Sequence, residues 1–409
     1  MVILTIFGQD CSFFLVGEED KLYPTSTVIV ATHAAAYGND YFAVVGDVEW
    51  TIPRQKADVD PYYGGACTGT PSYLGNKYRS GYFCISDDSF QEAQVGFPTT
   101  REAFTIDDFP SVPGPVLPIM NDVCFGEGKF VAIGDYDRPA NKEIWVHDLN
   151  APGFNPTVPR NGWTKVYTDY DGSIYNIAYG GGWFLAAGYG QVLLSPDATR
   201  DSWSFSDYRL GASNMPYFVA NGAGRFVAVT WDKAAWSQDP SSTNWVPVEV
   251  ADSNFKPRAI TYGNNRFVIV GLWGRIWWSF DGTEGTRVDA SIDTVNYDCD
   301  IAYFWLCPGN GSFIIGGYDY DNHCKRWWCA DENLENLLEI HPFSETRSEA
   351  LAYGNNMYIA IDSAWYVLSG TEDITSDGLV VSSIDGSPGS WTVVDPGPEL
   401  IIPENPIAE

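Results

Sequence analysis

The chain has 409 residues, of which 45% are hydrophobic and 15% aromatic, and its formal net charge is −30 at pH 7. A surface this negative repels phosphate backbones and anionic lipids, so we expect no nucleic-acid partner. No stretch approaches the roughly 20 apolar residues of a membrane-spanning helix, so we expect no membrane insertion. The N-terminal MVILTIFGQDCSFFLVG lacks the basic n-region of a signal peptide.

The first 33 residues contain the short apolar runs VILTIFG, SFFLVG and TVIVA. Runs of this length and composition predict β-strands. They are followed at residue 34 by a pattern that recurs along most of the chain.

The recurring unit is clearest in RAITYGNNRFVIVGLWGRIWWSFDG, residues 258–282. Apolar and aromatic runs separated by Gly, Asn and Asp predict three short antiparallel strands. The unit contains two landmarks, a turn glycine and an acidic turn. The glycines lie at Gly38, Gly126, Gly180, Gly222, Gly263, Gly309 and Gly354. One unit cannot bury both of its faces, so neighbouring copies must cover it.

The acidic turns alternate with the glycines and have the pattern Ser-x-Asp. Complete copies occur at Ser86/Asp88, Ser195/Asp197, Ser237/Asp239, Ser279/Asp281 and Ser383/Asp385. Two degenerate copies keep only the aspartate, at Asp148 and Asp331. Trp203, Trp245 and Trp391 follow three of the turns, where they predict the start of a fourth strand.

Ser-x-Asp-x-Gly followed by Trp resembles the Asp-box of sialidase-type β-propellers. The whole unit is similar to propeller repeats of bacterial and bacteriophage tail and virion proteins. The resemblance implies an all-β, seven-bladed β-propeller over residues 34–395. In that family the box is a structural turn whose Ser and Asp bond local backbone and whose Trp packs between sheets.

An eighth blade formed by residues 1–33 is the alternative architecture. After Val30 only about three residues precede the next strand, and they reach at most roughly 10 Å. The crossing from an outer to an inner strand needs about 14 Å. We therefore favour a separate N-terminal β element at residues 1–33. Blade one then carries large insertions, at residues 48–78 and 107–119, and residues 396–409 form a Pro-rich acidic tail.

Candidate binding residues fall in loops that should share the face opposite the Asp-boxes. Aromatic rings beside carboxylates suit sugars, and the candidate glycan-binding residues are Tyr136, Asp137, Trp231, Trp273, Tyr318 and Tyr320. Asp319 and Asp321 alternate as calcium ligands do, without completing a calcium loop, so we expect no cofactor, with calcium at these two residues as the alternative. The alternative is that these residues are surface residues of exposed hairpins without a ligand.

The sequence favours a non-catalytic protein. A sialidase-like glycan-processing enzyme is the alternative, but the family's Phe-Arg-Ile-Pro motif is missing and the four histidines are widely spread. The resemblance implies a structural or adhesive component of an assembly, most simply a bacteriophage virion protein. Its expected partners are other virion or assembly proteins and a host surface glycan, and its expected location is the virion, with an extracellular location as the alternative.

Overall fold

The computed structural model describes residues 2–6, 9–13, 25–52, 76–87, 94–96, 119–135, 142–152, 163–167, 173–189, 192–206, 217–230, 233–242, 244–248, 256–272, 274–289, 302–318, 324–330, 333–334, 336–340, 348–362, 364–369 and 380–395. Their regular structure consists of strands. None of these residues belongs to a helix long and apolar enough to cross a membrane.

The N-terminal part of the chain forms a hairpin and the first sheet. Strands β1 (Val2–Ile6) and β2 (Gln9–Phe13) pair antiparallel. The first sheet contains β3 (Thr25–Gly38), β4 (Tyr41–Ile52), β5 (Asn76–Asp87) and β6 (Gln94–Gly96). Strand β3 crosses the predicted boundary between residues 33 and 34, because its pairing with β4 continues on both sides of it.

Six four-stranded antiparallel sheets follow, and they make the fold an all-β β-propeller. The first three contain β7 (Ile119–Gly126), β8 (Lys129–Asp135), β9 (Lys142–Asp148) and β10 (Trp163–Tyr167); β11 (Ser173–Gly180), β12 (Trp183–Tyr189), β13 (Val192–Ser195) and β14 (Ser204–Ser206); and β15 (Phe218–Gly222), β16 (Arg225–Val229), β17 (Ala234–Ser237) and β18 (Val246–Val248).

The other three sheets repeat the order. They contain β19 (Pro257–Gly263), β20 (Arg266–Gly271), β21 (Arg275–Ser279) and β22 (Thr286–Asp289); β23 (Ala302–Gly309), β24 (Ser312–Tyr318), β25 (Cys324–Cys329) and β26 (Leu338–Glu339); and β27 (Ser348–Gly354) and β28 (Met357–Asp362), then, after the separate strand β29 (Ala364–Ser369), β30 (Val380–Ser383) and β31 (Thr392–Asp395).

Strand β29 leaves its own sheet and joins the first one. It pairs antiparallel with β3, from Ala364 opposite Val30 to Ser369 opposite Thr25. The first sheet is therefore five-stranded, in the order β29-β3-β4-β5-β6. This pairing joins a strand from the C-terminal part of the chain to the first sheet.

The first strands of the sheets form a closed circuit. β3 contacts β7, each later first strand contacts the next in sequence, and β27 contacts β3. The inner faces between neighbouring sheets are apolar. In one cluster, Val131 and Ile133 from β8 pack with Phe184 and Leu193 of the following sheet, and all four are buried.

Each first strand is joined to the second by a two-residue turn with left-handed backbone. At Asn264 and Asn265 the φ angles are 49° and 60°, and φ is also positive at both residues of the pairs Asn39–Asp40 and Asn355–Asn356. Two residues with positive φ define the type I′ turn, whose twist matches that of the flanking strands. The turn chemistry of the sequence thus fixes the register of each hairpin.

The glycine landmark before each turn is a site of close contact with the next sheet. A Cβ built on Gly222 would lie 1.9 Å from Cγ of Tyr262, and one on Gly126 would lie 2.1 Å from Cγ of Tyr179. The same contact joins the ends of the chain, since a Cβ on Gly354 would lie 1.9 Å from Cγ of Tyr37. Only glycine leaves room for the neighbouring side chain, which is itself the residue before the next glycine.

We predict that Gly222→Ala and Tyr262→Ala are strongly coupled. The alanine methyl group collides with the Tyr262 ring, so Gly222→Ala alone should lower the free energy of unfolding by about 3 kcal/mol. In the Tyr262→Ala background the ring is gone, and the same change should cost at least about 1 kcal/mol less. Urea denaturation of the two single variants and the double variant measures the difference.

The control for this cycle is Gly224→Asn. Nothing lies within 4 Å of a Cβ at Gly224, and its φ of 71° is a backbone conformation that asparagine tolerates. This variant should stay within about 0.5 kcal/mol of the wild type. Additive costs for Gly222→Ala and Tyr262→Ala would contradict the proposed contact.

Candidate functional site

The Ser-x-Asp turns are closed by their own side chains. In the turn at Ser279, the Ser279 Oγ accepts the Gly282 N–H at 2.9 Å and donates to the Glu284 carbonyl. The Asp281 carboxylate accepts the Thr283 N–H at 3.0 Å and its hydroxyl at 2.7 Å. These bonds from Thr283 hold the pKa of Asp281 below its ordinary value. The two polar side chains therefore serve the turn itself.

The other turns that the structure describes follow the same pattern. Oδ1 of the aspartate accepts the N–H two residues on, at 2.8–2.9 Å, in Asp148, Asp197, Asp239 and Asp385. In the degenerate copy with Asp148 the serine position is taken by Val146, which is buried. The side chain of Ser86, and Asp88 and Asp331, lie outside the described residues.

The backbone of the acidic turn also binds the preceding sheet, a contact that the sequence pattern does not reveal. Lys129 Nζ donates to the Asp197 carbonyl at 2.7 Å, and Arg225 Nη1 donates to the Asp281 carbonyl at 3.2 Å. Ser312 Oγ donates to the Asp385 carbonyl at 3.3 Å. Each donor is the first residue of a second strand. The face of the ring that carries the acidic turns is thus tied together sheet by sheet; we call it the box face.

The tryptophans after the turns are buried between sheets. Trp203, Trp245 and Trp391 are each 8–9% exposed. Trp203 packs in the cluster that contains Val131 of the preceding sheet, and the Trp391 indole N–H donates to the Gly386 carbonyl at 3.1 Å. These three side chains are structural.

The predicted ligand-binding loops fall outside the description. Tyr136, Asp137, Trp231, Trp273, Asp319, Tyr320 and Asp321 are not among the described residues, and Tyr318 ends β24 without a described side chain. Glycan and calcium binding there stay predictions. Within the described segments no group of three or more His, Cys, Asp or Glu is placed to hold a metal ion.

The first strands share a feature that the sequence analysis missed. In six of the seven first strands the register shifts at one residue, which bulges out of the pairing with the second strand; β15 pairs without a shift. The bulged residue precedes the turn glycine of its strand by the same number of positions in each case, as His33 precedes Gly38 and Arg258 precedes Gly263. Tyr217 occupies this offset before Gly222, and its N–H donates to Val229 O. The positions are His33, Asn121, Tyr175, Tyr217, Arg258, Phe304 and Glu349.

These bulges lie at the ends of the inner strands away from the glycine turns. The acidic turns join third to fourth strands, at the same end as the glycine turns, so the bulges are on the opposite face of the ring. Because the first strands form the inner circuit, the bulged residues surround the entrance to the hub on that face. A bulge re-aims a side chain that regular pairing would direct into the core. We call this set of positions the hub entrance.

Beside the hub entrance, polar side chains bind one sheet to the next. Asp122 Oδ2 accepts the Asn176 side-chain N–H at 2.7 Å and the Ile177 N–H at 2.8 Å. Asn176 Oδ1 accepts the Val219 N–H at 2.8 Å, and Asn121 donates to the Ile174 carbonyl at 2.9 Å. Three consecutive sheets are connected in this way.

Asp122 lies in a strongly desolvated environment. Burial raises the pKa of Asp122 to about 6, although the hydrogen bonds from Ile177, Val123 and Asn176 favour its charged form. All three groups around the carboxylate are donors, so the charged form is the one that the geometry satisfies. The effect of burial is larger than that of these hydrogen bonds, so the pKa of Asp122 lies above its ordinary value.

A buried carboxylate lies in the first sheet. Asp47, 1% exposed, contacts the imidazole Nε2 of His33, the bulged residue of β3. The pair joins the hub entrance to β4. The carboxylate of Asp47 thus contacts a neighbouring side chain, as that of Asp122 does.

Residues at this offset from three consecutive sheets lie at one side of the hub entrance. The rings of Tyr175 and Tyr217 lie 5.8 Å apart between centroids, at an interplanar angle of 37°. Tyr175 is 40% exposed. Arg258, from the next sheet, is half-buried, and burial lowers its pKa while the neighbouring Tyr217 has the opposite effect. Arg258 thus lies near Tyr217, whose ring packs against that of Tyr175.

One signal in the sequence pointed to these residues. Tyr175, Tyr217 and Arg258 stand at a fixed distance before the turn glycine, where a polar or aromatic residue begins an otherwise apolar strand. The signal is weak because a bulge shifts the alternation of inward and outward side chains. Strand periodicity alone therefore assigns these residues to the wrong face.

No family model and no curated protein matches the sequence. Among solved structures, that of YCF48 bound to D1 peptide matches with a TM-score of 0.51 and 11% identity, over 88% of this chain and 99% of that chain. Its likeness shows the β-propeller fold. Human WBSCR16 matches with a TM-score of 0.43 and 11% identity, over 83% of this chain and 88% of that chain. Streptogramin B lyase matches with a TM-score of 0.39 and 10% identity, over 61% and 93%.

We predict that Ser237→Ala destabilises the protein. Ser237 is buried, and its Oγ donates to the Asp239 carbonyl at 2.7 Å and accepts the Asp239 N–H at 3.2 Å. Removing the hydroxyl leaves both groups without this partner, at a cost of about 1–3 kcal/mol in the free energy of unfolding. Gln238→Ala, at the exposed middle position of the same turn, is the control and should change it little. Equal chemical denaturation midpoints for the two variants would refute this role.

We predict a stability change with pH that depends on Asp122. Because its folded pKa of about 6 exceeds the ordinary 3.8, the contribution of the neutral form is fully present below 3.8 and lost as pH rises through 6. Relative to Asp122→Asn, the wild-type free energy of unfolding should rise by up to about 3 kcal/mol between about pH 7.5 and about pH 4. Urea denaturation across this range measures it, and parallel pH profiles would contradict the assignment.

Proposed function

We propose that this chain is a non-catalytic propeller that serves as a structural or adhesive component of a larger assembly. The observation that carries the proposal is the use of polar side chains at the hub. Asp122 and Asn176 accept and donate hydrogen bonds between sheets, and Asp47 contacts His33. These groups hold the ring together, which is a scaffold's use of hub residues. A glycosidase needs two carboxylates facing a substrate instead.

The ring has seven blades in this proposal, with the five-stranded sheet as blade one. Two observations support that count. β3 of this sheet contacts both β7 and β27, and Tyr37 packs against Gly354 as each corresponding side chain packs against the preceding glycine. An eight-bladed ring would need another sheet between β27 and β3, where this contact already exists.

We further propose that the repeats are of the Asp-box type and that the protein acts in a virion. The bonds of Ser279 and Asp281 to local backbone support the Asp-box assignment. The virion location, with an extracellular location as the alternative, rests on the sequence resemblance. The partners would be other assembly proteins and a host glycan bound by the loops opposite the box face, with no cofactor other than calcium.

The fold is suited to holding a partner. The solved structure with the TM-score of 0.51 is that of YCF48 bound to D1 peptide, so a propeller of similar fold can bind a peptide. The sialidase-like alternative requires several arginines around the hub, and of the bulged positions one is an arginine, Arg258. A binding role therefore fits the hub entrance better than hydrolysis of a sialoside.

The test is to follow the chain through a density gradient of lysate from the cells that produce it. Membership of a virion predicts that it sediments with DNA-containing particles, at a constant ratio to their major protein, as measured by mass spectrometry. Recovery only from the light soluble fractions would refute the virion location. Hydrolysis of a fluorogenic sialoside by the purified chain, lost in Arg258→Gln, would refute the non-catalytic role.

A further inference from the structure

Two contacts between neighbouring sheets on the box face are built alike. At the first contact, Trp236 of β17 packs against the sheet that begins with β19. At the second contact, Trp328 of β25 packs against the sheet that begins with β27. Each tryptophan is the residue just before the acidic turn of its own sheet. On the outer strand, Val246 pairs with Trp236, and Leu338 pairs with Trp328.

Both contacts expose apolar side chains. The acidic turn of the following sheet has Phe280 as its middle residue at the first contact and Ile384 at the second, and these side chains are 61% and 71% exposed. Val246 and Leu338 are each nearly half exposed. Exposed apolar residues that cluster on a surface are typical of a place where another protein binds.

At the first contact the chain supplies its own cation. The guanidinium of Arg225, the first residue of β16, lies over the ring of Trp236, 4.8 Å from the ring centroid. Its Nη1 donates to the Asp281 carbonyl at 3.2 Å and lies 3.4 Å from Oδ2 of the Asp281 carboxylate. An aromatic face and a carboxylate together favour arginine, whose planar cation stacks on rings and pairs with carboxylates.

The sheet between the two contacts repeats this use of arginine. Arg266 is the first residue of β20, and its guanidinium lies 5.3 Å from the ring centroid of Trp278. It also lies 5.6 Å from the ring centroid of Phe280. In two consecutive sheets, therefore, an arginine at the start of the second strand covers the tryptophan that precedes the acidic turn.

The second contact has the tryptophan and the carboxylate but a different residue in place of the arginine. Strand β24 begins with Ser312, where β16 and β20 begin with arginine. Within the part of the chain that the structure describes, no arginine or lysine lies over the Trp328 ring or within ion-pair distance of Asp385. The cation of the first contact has no counterpart here.

Trp328 and Asp385 are nevertheless held in place. The Trp328 indole N–H donates to the Asp385 carbonyl at 3.0 Å, and Ser312 Oγ donates to the same carbonyl at 3.3 Å. Oδ1 of Asp385 accepts the N–H and the hydroxyl of Ser387 at 2.9 and 2.8 Å. The bond from the Ser387 N–H is the main cause that lowers the pKa of Asp385. A charged carboxylate therefore stands ready beside a fixed aromatic ring, and a ligand need not order them.

The surroundings restrict the ligand to a cation carried by a polypeptide. The net charge of −30 attracts cations at long range. Because the Asp385 carbonyl already accepts two hydrogen bonds, the carboxylate is the group that pairs with an incoming guanidinium. The exposed side chains of Ile384 and Leu338 would gain from apolar neighbours of that cation, which a polypeptide provides and a free amine does not.

We propose that Trp328, Ile384 and Asp385 bind an arginine side chain of a partner polypeptide. The guanidinium lies over the Trp328 ring and pairs with the Asp385 carboxylate, as Arg225 does with Trp236 and Asp281 at the first contact. Apolar residues beside the partner's arginine contact Ile384. This inference rests on the proposed assembly function and specifies the chemistry by which one partner is held on the box face.

The test uses the full chain with ¹⁵N-labelled tryptophan and the probe peptide acetyl-Leu-Arg-Leu-amide. Two further peptides carry citrulline or lysine in place of the arginine. The indole N–H signal of Trp328, identified by its loss in Trp328→Phe, should shift as the arginine peptide is added, and that of Trp236 should not. The arginine peptide should bind about fivefold more tightly than the citrulline peptide, which has a similar shape without the charge. Lysine, which lacks the planar fork, should bind more weakly than arginine.

A matched pair of variants tests the role of the carboxylate. Asp385→Asn removes the charge and keeps an oxygen that can accept the hydrogen bonds from Ser387, so it should abolish the preference for arginine over citrulline. Asp239→Asn is the control, because Oδ1 of Asp239 likewise accepts the N–H and hydroxyl of a serine two residues on, Ser241. This variant should keep the preference.

A third variant tests the comparison between the two contacts. Arg225→Gln removes the cation of the first contact, so the Trp236 signal should then respond to the arginine peptide. An unresponsive Trp236 signal in the folded variant would contradict the comparison on which the proposal depends. The result with Asp385→Asn is decisive whether or not Arg225→Gln folds.

The proposal is overturned if the arginine peptide leaves the Trp328 signal unchanged, or if the citrulline or lysine peptide binds as tightly as the arginine peptide. An unchanged preference in Asp385→Asn would overturn it as well. None of these results alters where the chain sediments in the density gradient, so failure of this site is distinguishable from failure of the assembly role.

Discussion

The contact between a turn glycine and the side chain before the next glycine governs this structure. At Gly222 the ring of Tyr262 occupies the space of a Cβ, and at Gly354 the ring of Tyr37 does the same. The contact sets how closely neighbouring sheets approach at the hub. The same contact joins β27, the first strand of the last sheet, to β3 of the first sheet. One local contact, repeated along the sequence, therefore closes the ring. Chain closure is reinforced by β29, which pairs with β3.

The two faces of the ring use polar groups in different ways. On the box face, Ser279 and Asp281 bond their own turn, and the carbonyl of Asp281 accepts Arg225 from the preceding sheet. These polar groups therefore stabilise the turns and the contacts between sheets. On the opposite face the bulged residues differ from sheet to sheet, from His33 to Arg258. A constant scaffold thus carries variable side chains around the hub entrance.

The sequence predicted the fold well because its landmarks are local. A glycine before an Asn-Asn turn and a serine two residues before an aspartate each specify a backbone shape, and both recur in order. The strand that follows each buried tryptophan was predicted for the same reason. By contrast, the pairing of β29 with β3 joins residues more than 300 positions apart, and no local pattern encodes it.

The candidate site was largely beyond sequence reasoning. Aromatic and acidic clusters such as Tyr318–Asp321 predict a binding site in hairpin loops. The aromatic pair that the structure describes at the hub entrance is instead Tyr175 and Tyr217, which come from strand β11 and from the residue before β15. A bulge displaces the alternation on which strand predictions depend, so Arg258 could not be placed from its neighbours. The hydrogen bonds from Lys129 and Arg225 to the acidic turn of the next sheet could not be predicted from the sequence either. Their acceptors are backbone carbonyls, which every residue has.

Electron-microscopy class averages of the isolated protein, viewed along the hub axis, test the central claim most directly. The packing of Tyr37 against Gly354 predicts a closed ring of seven wedge-shaped densities around a central hub. An open arc, or a ring with a different number of wedges, would contradict the account.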